Sequence, residues 1–247
     1  MIRIPKVFHQ IWFGGPMPDA YLAFAKTWRH FHAEWAFRLW TEENLFPLEL
    51  QAYFDTAEEF CQKSDIARYE VLWRFGGIYL DCDFECIKSI EPLLDEVDAF
   101  LGYEDPVSVN NAIIGAVPRH PALAAMIDAV RRRFFLPGPA FFTTGPGLVT
   151  PLVKRFADIR LFPSEVFYPL FWTRSIDPVL THAIHHYKTP KFERRLLHVS
   201  RPAKHMISTS RRRLICLPTS EHDEVGGAVG NRFLGGVDDS KVAGGTP

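Results

Sequence analysis

The tripeptide Asp81-Cys82-Asp83 carries the strongest chemical signal in the chain. It closes the run Ile78-Tyr79-Leu80-Asp81-Cys82-Asp83. That alternation predicts a strand with Tyr79, Asp81 and Asp83 on one face and Ile78, Leu80 and Cys82 on the other. Two carboxylates one residue apart on a strand project to the same side, roughly 6–7 Å apart. Left alone they repel, and burying them is costly. A divalent cation removes both problems, because hard cations prefer carboxylate oxygen. The same cation can bridge phosphate oxygens and stabilise a diphosphate as it leaves. Acid pairs of this pattern also occur at solvated strand ends, so the surrounding residues must decide between the two.

The elements that hold the pair are legible on both sides. Ser64 reads as the N-cap of a helix with Ile66, Tyr69, Leu72, Trp73 and Phe75 at helical spacing, and Gly76-Gly77 ends it. Nearer the start, Lys6 to Phe13 reads as a strand broken by Gly14-Gly15-Pro16. A helix from about Asp19 to His32, a strand at Phe37–Trp40 and a helix from about Glu42 follow. This alternation predicts an α/β domain with a mostly parallel sheet. Further strands are expected at Ala99–Tyr103 and Ala112–Val117, and a helix at Pro121–Phe135. Then come the loop Thr143–Gly147 and a short helix to about Phe156. From Glu221 the residues are mainly Gly, Asp, Val and Ala, which divides the chain into a folded domain over 1–220 and a flexible tail over 221–247.

Bulk composition narrows the function classes. The chain has 247 residues, 47% hydrophobic and 14% aromatic, enough for one large core. A formal net charge of -1 argues against nucleic acid as a partner. The four cysteines lack C-x-x-C spacing and read as reduced thiols. Pro5, Lys6 and His9 interrupt any secretory signal. No apolar run approaches the roughly 20 residues that span a bilayer. The expectation is a cytoplasmic protein, soluble or peripheral on the inner face of the membrane. Arg194, Arg195, Arg201, Lys204 and Arg211–Arg213 form a basic 194–213 segment suited to anionic lipid head groups.

Residues Lys63 to Asp83, K-S-D-I-A-R-Y-E-V-L-W-R-F-G-G-I-Y-L-D-C-D, resemble glycosyltransferase family 32, whose sugar-binding region contains the D-x-D motif. The start, Ile4-Pro5-Lys6-Val7-Phe8-His9-Gln10-Ile11-Trp12-Phe13-Gly14, is similar to the family's first strand. So are Asn110-Asn111, Thr144-Gly145-Pro146 and Ala183-Ile184-His185-His186-Tyr187 to later blocks, while Tyr187 and Thr189-Pro190-Lys191 depart from it.

The resemblance implies a GT-A-type fold and a retaining transferase. It would move a hexose from a UDP- or GDP-sugar to a glycan or lipid-linked saccharide, with the lack of a signal favouring bacterial surface-polysaccharide synthesis. It further implies that Asp83 ligates Mn²⁺ (or Mg²⁺), with Asp81 on the metal or the ribose. His185 would be the late ligand, with His186 as competitor. Asp65 and Arg68 would hold the donor sugar, Arg68 also lying near the phosphates. Ile11, Trp12, Tyr79, Asn110, Asn111 and Gly145 complete the implied donor site, and Asp65, Arg68 and Asp83 the catalytic set. Retention without an obvious carboxylate nucleophile suits a front-face reaction. Two other readings fit an isolated D-x-D: an inactive sugar-nucleotide or glycan-binding module, and a haloacid-dehalogenase-type phosphatase. Glu85 stands where the phosphatase motif calls for Thr or Val.

Overall fold

Strand β1 (Val7–Ile11) pairs in parallel with β2 (Ala36–Trp40), the two joined by helix α1 (Asp19–Phe31). This computed structural model describes residues 1–171 and 173–187. The Thr189–Lys191 departure, the basic 194–213 segment and the tail from 221 lie outside the described residues. After β2 the chain runs through α2 (Gln51–Thr56) and α3 (Phe60–Phe75) to β3 (Gly77–Leu80) and β4 (Phe84–Cys86). Then follow β5 (Ala99–Tyr103), β6 (Val109–Ala116), α4 (Pro121–Arg133), α5 (Ala140–Thr143) and α6 (Pro146–Val153). Strand β7 (Ile159–Phe162), α7 (Ser164–Phe167) and β8 (Ala183–His185) complete the described elements.

Six strands form one sheet in the order β2-β1-β3-β6-β5-β7. Only β6 runs against the others, so the expected mostly parallel α/β sheet is present. The alternation read for β3 holds. Tyr79 packs into the core shared with α3, α4 and α6, whereas Ile78 and Leu80 face a second core with Trp28, Phe84 and Tyr168. Strands β4 and β8 pair separately, Phe84 opposite His185.

Five boundaries differ from the sequence reading. The helix expected from Glu42 begins at Gln51, because Thr41 and Asn44 close a turn on each other's backbone and Pro47 follows. The two N–H groups before it, of Glu49 and Leu50, donate to the buried Glu70 carboxylate at 2.6 and 2.7 Å. Ser64 is not an N-cap. Helix α3 starts four residues earlier at Phe60, and Ser64 lies inside it. Part of the expected Thr143–Gly147 loop is helical, and β6 begins at Val109, which puts Asn110 and Asn111 inside the strand. The strand expected through Asp83 ends at Leu80. Asp81 adds one more ladder bond, to the Ala112 carbonyl, before Phe84 N–H closes a turn onto Asp81.

Two glycines carry the chain from α3 into β3. Gly76 has φ 62°, and a Cβ there would lie 2.7 Å from the Pro118 nitrogen; Gly77 has φ 90° and faces Val7. His9 locks this corner. Its Nε2 donates to the Gly76 carbonyl at 3.0 Å, and its Nδ1 accepts from Trp40 Nε1 at 3.1 Å. Burial pushes the imidazole down to about 4. In the unfolded chain it titrates near 6.5. Its contribution is therefore complete above about pH 6.5 and is lost as the pH falls towards 4, by roughly 3 kcal/mol. Urea unfolding between pH 7 and 4 should show this loss, and His9→Gln should flatten it.

Candidate active site

The C-terminal ends of β1 and β3 open into a cleft of about 570 Å³. Ligands bind at such strand ends in open α/β sheets generally. Of the residues singled out in the sequence, Ile11, Trp12, Arg68, Tyr79, Asp81, Asp83 and His185 line it. Tyr21, Phe60, Cys61, Ser64 and Tyr187 line it too, and had not been singled out as site residues. Nothing in their spacing marks them, because the fold brings them in from α1, α3 and the end of β8.

The turn after β3 brings the acids to the imidazole. His185 Nε2 lies 3.1 Å from Asp83 Oδ1 and 3.7 Å from Asp81 Oδ2. Ligand atoms of Asp81, Asp83 and His185 all stand within 4.8 Å of one another. Donors about 2.1–2.3 Å from a single ion span roughly 3–4.5 Å, so the set is close to binding geometry for a divalent cation. Two carboxylates and one imidazole suit Mn²⁺, with Mg²⁺ as the harder alternative. His185 is held by rings rather than by a polar partner. Phe84 stacks on it at 4.8 Å and Tyr187 lies edge-on at 4.0 Å, while its buried Nδ1 has no hydrogen-bond partner. His186 is engaged elsewhere, 2.9 Å from Glu85 and stacked on Phe24. The pairing of Phe84 with His185 settles which histidine faces the acids.

Behind the acids lies Arg68, 4% exposed. Its Nη1 donates to the Asn111 carbonyl at 2.7 Å, and its Nη2 lies 3.1 Å from Asp65 Oδ1 and 3.2 Å from Asp81 Oδ1. Tyr79 supports it from below, ring centroid 4.3 Å from the guanidinium, and donates its hydroxyl to Asp81 at 2.6 Å. Asp81 thus spends one oxygen on Arg68 and Tyr79 and turns the other to His185. Burial alone would lower the arginine's affinity for its proton, but Asp81, Tyr79 and Asp65 together raise it, so the cation is permanent.

Asp65, Asn110, Asn111 and Gly145 do not line the cleft. Both Asp65 oxygens are taken, Oδ1 by Asn111 and Arg68, Oδ2 by the Thr144 hydroxyl at 2.8 Å. Burial raises its pKa despite these partners. Asn110 donates to Glu104 at 2.6 Å, and a Cβ on Gly145 would stand 3.4 Å from Asp65. These residues form the wall that holds Arg68 rather than the surface of the cleft. Tyr69, which donates to the Thr144 carbonyl and accepts from Asn111, belongs to the same wall and was read only as core.

A family profile described as the glycosyltransferase sugar-binding region containing the DXD motif matches residues 18–100. An inositol phosphoceramide mannosyltransferase of Schizosaccharomyces pombe is 31% identical over 67% of this chain and 55% of its own length. An uncharacterized glycosyltransferase of Acanthamoeba polyphaga mimivirus is 31% identical over 67% of this chain and 73% of its own. A lactosylceramide α-galactosyltransferase of Pongo pygmaeus is 32% identical over 44% of this chain and 53% of its own. The chain spans about half the length of the curated fungal relatives it matches. Among solved structures, the PaToxG glycosyltransferase superposes with a TM-score of 0.54 over 62% of this chain and 69% of that one, at 16% identity. That likeness places the sheet and its helices in the GT-A type of fold.

Removing Arg68 should expose how much the wall depends on it. Arg68→Met leaves Asp65 buried without its cation and should cost about 3–5 kcal/mol in urea unfolding. The double change Arg68→Met with Asp65→Leu should recover most of that loss.

Proposed function

The chain belongs to the glycosyltransferase family whose sugar-binding region contains the DXD motif, and from that membership we propose that it moves a hexose from a nucleoside diphosphate sugar to a saccharide hydroxyl. The observation that carries this reading is the meeting of Asp81, Asp83 and His185 at the cleft, with the Arg68 cation directly behind Asp81. Asp81, Asp83 and His185 would hold Mn²⁺ or Mg²⁺, which neutralises a diphosphate leaving group when bound. Arg68 adds a fixed positive charge that is itself buried, where such charges act more strongly than in bulk water. Its fork is already oriented by the Asn111 carbonyl and by Asp65, so little reorganisation is needed as charge develops. Trp12 and Tyr21, with ring centroids 5.0 Å apart, offer an aromatic surface for the nucleobase beside the acids.

Retention of configuration, as the family resemblance implies, would follow a front-face course. Double displacement needs a carboxylate free to attack the anomeric carbon. Among the described residues, the carboxylates lining the cleft are Asp81 and Asp83, both assigned to the cation, and Asp65 has both oxygens bonded behind the wall. In the front-face course the bond from the anomeric carbon to the diphosphate breaks as the acceptor oxygen bonds on the same face. The acceptor's proton passes to the departing diphosphate oxygen.

Two relatives carry the name of a ceramide lipid, inositol phosphoceramide in one and lactosylceramide in the other. Of the two acceptors expected, a glycan or a lipid-linked saccharide, their names support the lipid-linked one, and they lend no support to a role in bacterial surface-polysaccharide synthesis.

Calorimetry with UDP- and GDP-hexoses, with and without Mn²⁺, tests the reading. One nucleotide class should bind in the presence of the cation only, and Asp83→Ala should abolish that binding. Transfer or slow donor hydrolysis should fall by about 10²–10³-fold in the same variant. Donor binding without any turnover, whatever the acceptor offered, would favour an inactive sugar-nucleotide-binding module instead.

A further inference from the structure

The connection from α4 to α6 is unusual for a surface segment. Between Arg133 and Lys154 the sequence contains no ionisable side chain, and it opens Phe134-Phe135-Leu136-Pro137-Gly138-Pro139-Ala140-Phe141-Phe142. Phe134 is buried, but Phe135 is 73% exposed, Leu136 55%, Phe141 38% and Phe142 56%. Isolated exposed apolar residues are ordinary, whereas a contiguous cluster of large ones marks an interaction surface.

Each half of this run is packed rather than frayed. Phe135 packs edge-on against Phe134 and lies 5.7 Å from Tyr53. Phe141 and Phe142 stand edge to face at 4.8 Å, against Gly147, where a Cβ would come within 3.0 Å of both rings. The segment is anchored at the donor site. Thr143 accepts from Gln62 of α3 at 3.4 Å, and the next residue, Thr144, donates to Asp65. Arg131, Arg132 and Arg133 form the last turn of α4 immediately before it; Arg131 pairs with Glu49 and Asp128, and Arg132, 3.5 Å from Asp128, keeps its side chain 65% exposed.

We propose that residues 134–142 dock the enzyme onto an anionic lipid surface, with Phe135, Leu136 and Phe142 entering the interface and Arg132 meeting the head groups. Aromatic and aliphatic tips beside a basic turn match the two forces that hold peripheral proteins at membranes, apolar burial and attraction to anionic lipid. Three arginines against the carboxylates of Glu49 and Asp128 leave this turn positive, and an anionic lipid surface meets that residual charge without any fixed register. The docking also serves the reaction. A segment rooted on Thr144 and Asp65 sets the donor wall close to the bilayer, where the saccharide of a lipid-linked acceptor is presented. This last step rests on the lipid-linked acceptor proposed above. The docking itself does not.

The test is co-sedimentation of the full chain with phosphatidylcholine vesicles containing phosphatidylglycerol. It is run in about 0.5 M salt, where the screening length is only a few ångströms and basic segments such as 194–213 are silenced. Wild type should still bind there. The triple change Phe135→Ser, Leu136→Ser and Phe142→Ser should weaken binding by about 100-fold or more, by loss of apolar burial. Mn²⁺-dependent donor binding in solution should stay unchanged in the variant, which certifies its fold. Equal vesicle binding by variant and wild type would overturn the proposal. So would a concentration-dependent dimer of the wild type that the triple change makes monomeric. Neither readout needs transfer activity, so the docking can fail while the enzymatic reading stands, and the reverse.

Discussion

A single buried cation organises this site. Arg68 sits 4% exposed on a helix packed on all sides from Asp65 to Leu72. A guanidinium in that position is tolerable only if every direction offers an acceptor. Asp65, Asp81, the Asn111 carbonyl and the face of Tyr79 supply them. The requirement runs outward from there. Asp65 must be held by Thr144 and Asn111, Tyr69 must tie Thr144 to Asn111, and β6 must begin beside α3 so that Asn111 can reach both Asp65 and Arg68. Most of the wall behind the cleft therefore exists to keep one charge in place, and that charge in turn fixes which oxygen of Asp81 is left to face His185.

The acids gain from a departure from regular structure. On a continuing strand they would alternate correctly but remain far apart. The turn after Leu80 bends Asp83 back until its backbone carbonyl accepts from His186 N–H and its carboxylate reaches the neighbouring His185. The small β4–β8 pair is what makes that approach repeatable, since Phe84 opposite His185 stacks on the imidazole it positions. The six-stranded sheet holds the frame, and the separate two-stranded β4–β8 pair sets the ligand distances.

Much of this was legible in the residues. Period-two alternation identified β3 and its two faces, and the Gly76-Gly77 pair announced the end of α3, because only glycine tolerates those dihedrals against Pro118 and Val7. The spacing of Asp81 and Asp83 marked a candidate cation site, and the structure brings both acids together with His185. What the sequence hid were choices made by tertiary packing. Ser64 has the chemistry of an N-cap, yet the helix starts four residues earlier at Phe60, and the Ser64 carbonyl accepts from Arg68 within it. Asn110 and Asn111 looked like donor contacts, but their amides are consumed by Glu104, Asp65 and Tyr69, partners 6 to 46 residues away in sequence. His185 and His186 are adjacent and chemically alike, and only strand register separates them. Local pattern reading sees spacing along a chain, and none of these decisions is made along the chain.

The most direct test of the account is a crystal structure with Mn²⁺ and a nucleoside diphosphate, with data collected at the manganese absorption edge. The account predicts an anomalous peak bounded by Asp83, His185 and the free oxygen of Asp81, with the diphosphate on its open side towards Arg68. A peak elsewhere, or a diphosphate bound while His185 faces away from the metal, would contradict it.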